Sequence, residues 1–133
     1  YNNRNYDEAL GAYSVLIDAY PSAPETQRAE ALVDELSEIE ASLEYAQVMA
    51  QFEAKEYDQA IQGFKEIINK YPDTYTQLAA YCNLGLTYEI LRQWPQAVEN
   101  YDQTLTRGQG DIENSDVVNF ARLHRDWIVE NRL

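Results

Sequence analysis

The sequence predicts an all-α domain of antiparallel helix pairs, and three observations carry that expectation. Apolar residues recur at spacings of three and four along almost the whole chain and never alternate over a sustained run, which is the helix signature. The five glycines and four prolines, the strongest breakers of regular structure, stand mostly between those periodic stretches. A chain of 133 residues that is 45% hydrophobic and 25% charged has the size and composition of one globular domain.

The elements follow in order. Residues 6–20 place Tyr6, Ala9, Leu10, Tyr13, Leu16, Ile17 and Tyr20 on one helical face, ending at Pro21. From 25 to 53 no Gly or Pro intervenes, and Ala29, Leu32, Leu36, Ile39, Leu43, Ala46 and Ala50 step by three and four. That stripe predicts one helix of roughly 43 Å at ~1.5 Å per residue, with two shorter helices bent near 40–42 as the alternative. Residues 57–72 carry a third pattern that closes at Pro72. Residues 73–91 place Leu78, Tyr81, Leu84, Gly85 and Tyr88 on one face. Pro95 suits a first helical turn, where its missing N–H costs nothing, and opens a helix bearing Ala97, Val98, Tyr101, Thr104 and Leu105. After Gly108 and Gly110, Ser115 is an N-cap candidate for a last helix with Asp116 in its first turn. Its stripe is Val117, Phe120, Ala121, His124, Trp127 and Ile128.

Three segments superimpose without gaps. They are Tyr6-Asp7-Glu8-Ala9-Leu10-Gly11-Ala12-Tyr13, Tyr57-Asp58-Gln59-Ala60-Ile61-Gln62-Gly63-Phe64 and Trp94-Pro95-Gln96-Ala97-Val98-Glu99-Asn100-Tyr101. In each, a small residue admits the neighbouring helix and an aromatic one turn later fills the space beside it. These residues resemble the second helix of a tetratricopeptide repeat. The resemblance is fullest in the last unit, where Leu84, Gly85, Tyr88, Ala97 and Tyr101 take the family's preferred positions and Tyr81 stands where tryptophan is common. Pro21 and Pro72 match repeat-end prolines. The resemblance implies a right-handed α-solenoid with one long central helix and a C-terminal capping helix. It divides the chain into the second helix of a truncated repeat (1–22), the long helix (25–53), the second helix of a middle repeat (57–72), the best-matching repeat (73–110) and the cap (114–133). The recurring alanines, at 9, 60 and 97, depart from a constant 34-residue period, and the middle unit has Gln47-Val48 where the family prefers Leu-Gly. Tyr-Pro-Asp repeat ends of this style are similar to those of bacterial cell-envelope repeat proteins, which implies that compartment.

Charge narrows the partners. With 10 basic and 23 acidic residues the net charge is −13, which disfavours nucleic acid and anionic membrane surfaces. No apolar run approaches the ~20 residues of a bilayer span. Residues 1–66, with 4 basic and 14 acidic residues, hold −10 of the charge, and the long helix sets seven carboxylates from Glu25 to Glu44 against Arg28. Such a helix is a solvated face or an acidic docking surface for a basic partner. The chain begins at Tyr1 in mid-pattern and reads as a piece of a longer protein. A first unit lacking its first helix leaves the Tyr6/Leu10/Tyr13 face uncovered, which predicts a homodimer through that end.

Catalytic chemistry has few carriers. His124 is the one histidine and lies on an apolar stripe with no serine patterned beside it, so a core or interface role is expected rather than a general base. Cys82 is the one cysteine, expected as a small buried hydrophobe, and it leaves no set for zinc. Asp111, Glu113, Ser115 and Asp116 lack the sharp-turn glycine and terminal glutamate of a calcium loop. No metal, cofactor or enzymatic activity is expected.

The resemblance instead implies a protein or peptide partner on a concave surface lined by first helices. Carried over, the last unit presents Ala79, Cys82, Asn83, Leu86, Glu89 and Ile90, and the middle unit Tyr45, Ala46, Met49, Phe52 and Glu53. Asn83 matches an asparagine that chaperone-tail clamps of the family set on a peptide backbone, but their lysines and arginines are missing, so a C-terminal carboxylate is not the expected ligand. An apolar groove with an acidic rim favours an amphipathic helix or extended apolar peptide. The alternatives are that Tyr45, Met49 and Phe52 pack against the neighbouring helix, and that the domain serves structural self-association.

Overall fold

A computed structural model describes residues 24–109 and 115–133, with side chains from Arg28 onward. The expected helix at 6–20, the dimer face on Tyr6, Leu10 and Tyr13, and Asp111 and Glu113 lie outside the described residues. Those described form five helices and no strand: α1 (Pro24–Glu53), α2 (Tyr57–Lys70), α3 (Tyr75–Ile90), α4 (Trp94–Arg107) and α5 (Ser115–Arg132). Each helix packs on the next, and α3 also meets both α1 and α5. The odd-numbered helices therefore make one layer and α2 and α4 the other, the arrangement of a helical repeat array.

α1 is a single helix, but its buried face is not one straight stripe. Ala29 is buried and Leu32, Leu36, Ile39 and Leu43 are half-buried, yet Ala46 and Ala50 are exposed. From the middle of the helix the covered residues become Glu40, Ala41 and Val48, with Tyr45, Met49 and Phe52 packed against the core. A 3.5-residue stripe drifts about 20° per heptad on a straight helix, so the two halves of α1 show different rows to their neighbours.

The links between helices repeat. After α1, the Glu56 N–H reaches the Gln51 carbonyl at 2.9 Å and Lys55 N–H that of Phe52 at 3.0 Å. After α3, Gln93 reaches Tyr88 and Arg92 reaches Glu89 at the same two distances. Both are Schellman closures, with Lys55 (φ 63°) and Arg92 (φ 59°) in the left-handed region. The α2–α3 link is stitched by side chains. Thr74 caps α3 by accepting from Gln77 N–H at 3.0 Å, and the buried Gln77 amide donates to the Ile68 carbonyl at 2.8 Å and accepts from Asp73 N–H at 3.1 Å.

In the core, Ala60 and Phe64 of α2 and Ala97 and Tyr101 of α4 are fully buried. The two units differ in which helix supplies the small residue at the crossing. A Cβ on Gly85 would lie 2.8 Å from Tyr101 Cδ1, so in the last unit the first helix gives way to the ring. In the middle unit Val48 stands at the corresponding place, and a Cβ on Gly63 would lie 2.5 Å from its Cγ2. The missing Leu-Gly pair is thus offset by a glycine on the facing helix.

Two outcomes are expected from these contacts. Lys55→Gly and Arg92→Gly should each stabilise the fold by about 0.5–1 kcal/mol by relieving a left-handed non-glycine residue, read as a higher urea midpoint at unchanged m-value. Gly63→Ala should destabilise by about 1–2 kcal/mol despite alanine's better helix propensity, because the added methyl would stand 2.5 Å from Cγ2 of Val48, a stiff β-branched side chain. Adding Val48→Ala should recover most of that loss, and additive free energies in the double-mutant cycle would show that the two residues do not share this contact.

Candidate functional site

The inner layer places α3 between the second half of α1 and the first half of α5. A cleft of about 450 Å³ opens there, walled by Tyr45 of α1, by Ala79, Cys82, Asn83 and Leu86 of α3, and by Val117 and Phe120 of α5, with Tyr75 and Asp116 completing it. One turn further along the same α3–α5 seam lies a second cleft of about 380 Å³, lined by Glu89, Leu123, His124 and Trp127.

In the first cleft the Asn83 amide donates to Tyr45 Oη at 2.6 Å and to the Ala79 carbonyl at 3.0 Å. Both N–H groups are thereby used, and Oδ1 is left as the acceptor for a ligand. Burial raises the Tyr45 phenol above its ordinary value, helped by the nearby Cys82 and Tyr75 and opposed by the Asn83 hydrogen bond. Tyr45 therefore keeps its proton and remains a donor into the cleft. Burial pushes the Cys82 thiol up to about 12, and its Sγ lies 3.9 Å from the Val117 carbonyl. Such a thiol is a packing group and not a nucleophile.

The second cleft is ordered by a network across three helices. Glu89 Oε1 accepts from Tyr101 Oη at 3.0 Å and lies 2.9 Å from His124 Nδ1. A carboxylate can only accept, so Nδ1 carries the proton and Nε2 is the nitrogen left for a ligand. The His124 ring stacks on Phe120 at 3.9 Å with an interplanar angle of 19°. Burial, and then the Glu89 charge, raise the Tyr101 phenol far above its ordinary value, which keeps it a donor to that carboxylate.

Of the residues predicted to line a groove, the structure brings Tyr45, Cys82, Asn83 and Leu86 into one cleft and puts Glu89 in the next. Met49 and Phe52 lie half-buried against the core, Phe52 meeting the Tyr57 ring edge-on at 5.8 Å. Ile90 is exposed and lines neither cleft. Ala46 and Glu53 are exposed. Sequence reasoning counted Val117, Phe120, His124 and Trp127 only as a capping stripe, whereas these residues form the opposite wall of the seam. Exposed Leu123 stood outside that stripe, and an apolar residue out of register was the available signal.

Residues 42–74 match the tetratricopeptide repeat family model. These residues are a tetratricopeptide repeat. The match begins within α1 and closes on the Thr74 cap, so the second half of the long helix is the repeat's first helix and α2 its second. The unit matched is the middle one, with Val48 and Gly63 at its crossing. The family is generally a non-catalytic scaffold fold whose repeats mediate protein–protein interaction. No curated protein matches the chain.

The burial of Cys82 has a direct readout. With the thiol pushed up to about 12, its labelling by a disulfide reagent at pH 8 should run at least about a hundredfold slower in the native protein than in 6 M guanidinium, because the thiolate is the reacting form. Equal rates in the two conditions would place Cys82 outside the packed seam.

Proposed function

We propose that this domain is a non-catalytic scaffold module that holds an apolar segment of a partner protein along the α3–α5 seam. The observation that carries the reading is the run of two clefts on consecutive turns, with largely apolar walls and a few fixed polar groups. Tyr45 Oη offers a donor, Asn83 Oδ1 an acceptor and His124 Nε2 a further polar group, each side chain held by hydrogen bonds to its own neighbours. Leu86 and Phe120 supply the apolar wall between them. Sites of this kind suit the apolar face of a helix or an extended strand-like peptide, which needs a few backbone groups satisfied and side chains buried.

The acidic rim points to a partner of opposite charge at its flanks, whose association slows as salt rises. A second reading, structural self-association, is favoured by exposed Leu123 and Trp127 on α5 and Leu133 just beyond it.

The two readings separate on the double variant Asn83→Ala/Leu86→Glu, compared with wild type by affinity capture from a lysate and by sedimentation velocity. Both positions are half-buried on α3, so helicity and melting temperature should stay close to wild type. The expected outcome is a partner retained by wild type and lost by at least tenfold in the folded variant. A partner retained equally by both moves binding off the seam, and a stable oligomer with no heterologous partner supports self-association.

A further inference from the structure

The end of α5 carries an arrangement that borders the second cleft through Trp127 and extends away from it to Trp94 and Arg132. Trp94, at the start of α4, and Trp127, on α5, form a wedge with ring centroids 6.4 Å apart and planes inclined at 59°. The Arg132 guanidinium sits over both rings, 5.5 Å from the Trp94 centroid and 5.1 Å from that of Trp127. Both distances lie within the ~6 Å reach of a cation–π contact, so one cation satisfies two faces at once.

The way Arg132 is held is informative. Arg125, on the same helix, is fixed by Asp102 at 2.6 Å and Asp126 at 3.2 Å. Arg132 has no carboxylate contact among the described residues, although the chain has 23 acidic residues to offer one. Its side chain is exposed and Trp127 is 46% exposed, so the wedge is reached from solvent and its cation can swing out without opening the core. A flat, weakly hydrated guanidinium suits such a slot better than a compact ammonium does. The net charge of −13 draws cations towards the surface.

We propose that the Trp94–Trp127 wedge is a recognition site for an arginine side chain of a partner protein, and that Arg132 occupies it as an internal stand-in while the site is free. The stand-in is tethered, so it competes at an effective concentration in the millimolar range or above. An incoming arginine therefore binds weakly unless the rest of its chain is also docked. The site thus adds discrimination to a partner held elsewhere on the surface. The wedge shares Trp127 with the second cleft, but its readout, the response to a free arginine probe, is separate from capture of a partner on the seam.

The chain has two tryptophans and both are in the wedge, so tryptophan emission, excited selectively over the eleven tyrosines, reports on it. The test titrates N-acetyl-arginine amide into wild type, Arg132→Ala and Arg132→Lys at constant ionic strength, with the neutral N-acetyl-citrulline amide as control. Arg132→Ala should show a saturable emission change with an apparent Kd at least fivefold below that of wild type. Arg132→Lys should fall between the two, and the citrulline probe should give no saturable change. Equal responses in wild type and Arg132→Ala, or a citrulline response matching that of arginine, would overturn the proposal. Tetramethylammonium binding Arg132→Ala more tightly than the arginine probe does would overturn the assignment to arginine. Both variants change an exposed residue in the last helical turn, and circular dichroism should show the wild-type helix content in each.

Discussion

The contact between the Tyr101 ring and the bare backbone at Gly85 sets the geometry of this molecule. A fully buried ring of that size fits between two helices only where one of them offers no side chain, and a Cβ at Gly85 would already stand 2.8 Å from the ring. Once seated, Tyr101 also organises the surface. Its hydroxyl fixes the Glu89 carboxylate, which fixes the His124 ring, and that ring lies 5.9 Å from Tyr101 and stacks on Phe120. The core and the second cleft are therefore one connected set of contacts, running through α4, α3 and α5. A change in the α3–α4 crossing would be felt at the seam before it was felt anywhere else on the surface.

The long first helix imposes a second constraint. Because α1 is continuous, its early turns and its repeat-forming half cannot rotate independently, and whatever packs on one fixes the other. Lys70, at the end of α2, ties that helix to the point where the two halves meet. It lies 2.7 Å from Glu44 and 3.6 Å from the buried Glu40, and over the Tyr71 ring at 5.3 Å. Burial and the Glu44 carboxylate beside it hold the Tyr71 phenol above its ordinary value, so the phenol keeps its proton within the cluster. Lys70 itself is 50% exposed, so the cluster is a half-solvated link between α1 and α2 rather than a buried charge pair.

Much of the architecture was legible because helices announce themselves through spacing. Glycine, proline and the three-and-four rhythm are local signals, and the alanine–aromatic pairs at Ala60–Phe64 and Ala97–Tyr101 are compact enough to be read from one segment at a time. What was hidden depended on two segments at once. Val48 in place of glycine looked like a departure until Gly63, on the facing helix, was seen to make up the volume. The drift of the buried row along α1 was hidden for the same reason, since Ala46 and Ala50 continue the stripe in sequence yet face solvent. The far wall of the seam was hidden because a stripe such as Val117, Phe120 and His124 reads as core unless one knows how far the neighbouring helix stands away.

That distance is what turns a capping helix into part of a binding surface. α5 packs on α4 through Ala121 and Ile128, both fully buried, and its small residue at 121 lets α4 approach closely on that side. Phe120 and His124 also meet α4, their rings 6.3 and 5.9 Å from that of Tyr101, while His124 reaches Glu89 of α3, so the stacked rings fill the junction of the three helices. The seam opens beside that stack, where Phe120 lines the first cleft and His124 the second. The same choice of residues that closes the hydrophobic core at this end therefore leaves a furrow beside it, with its polar groups already oriented by Glu89 and Tyr45. In a helical repeat array, a cap and a groove can be built from one helix when its two faces differ this much in side-chain size.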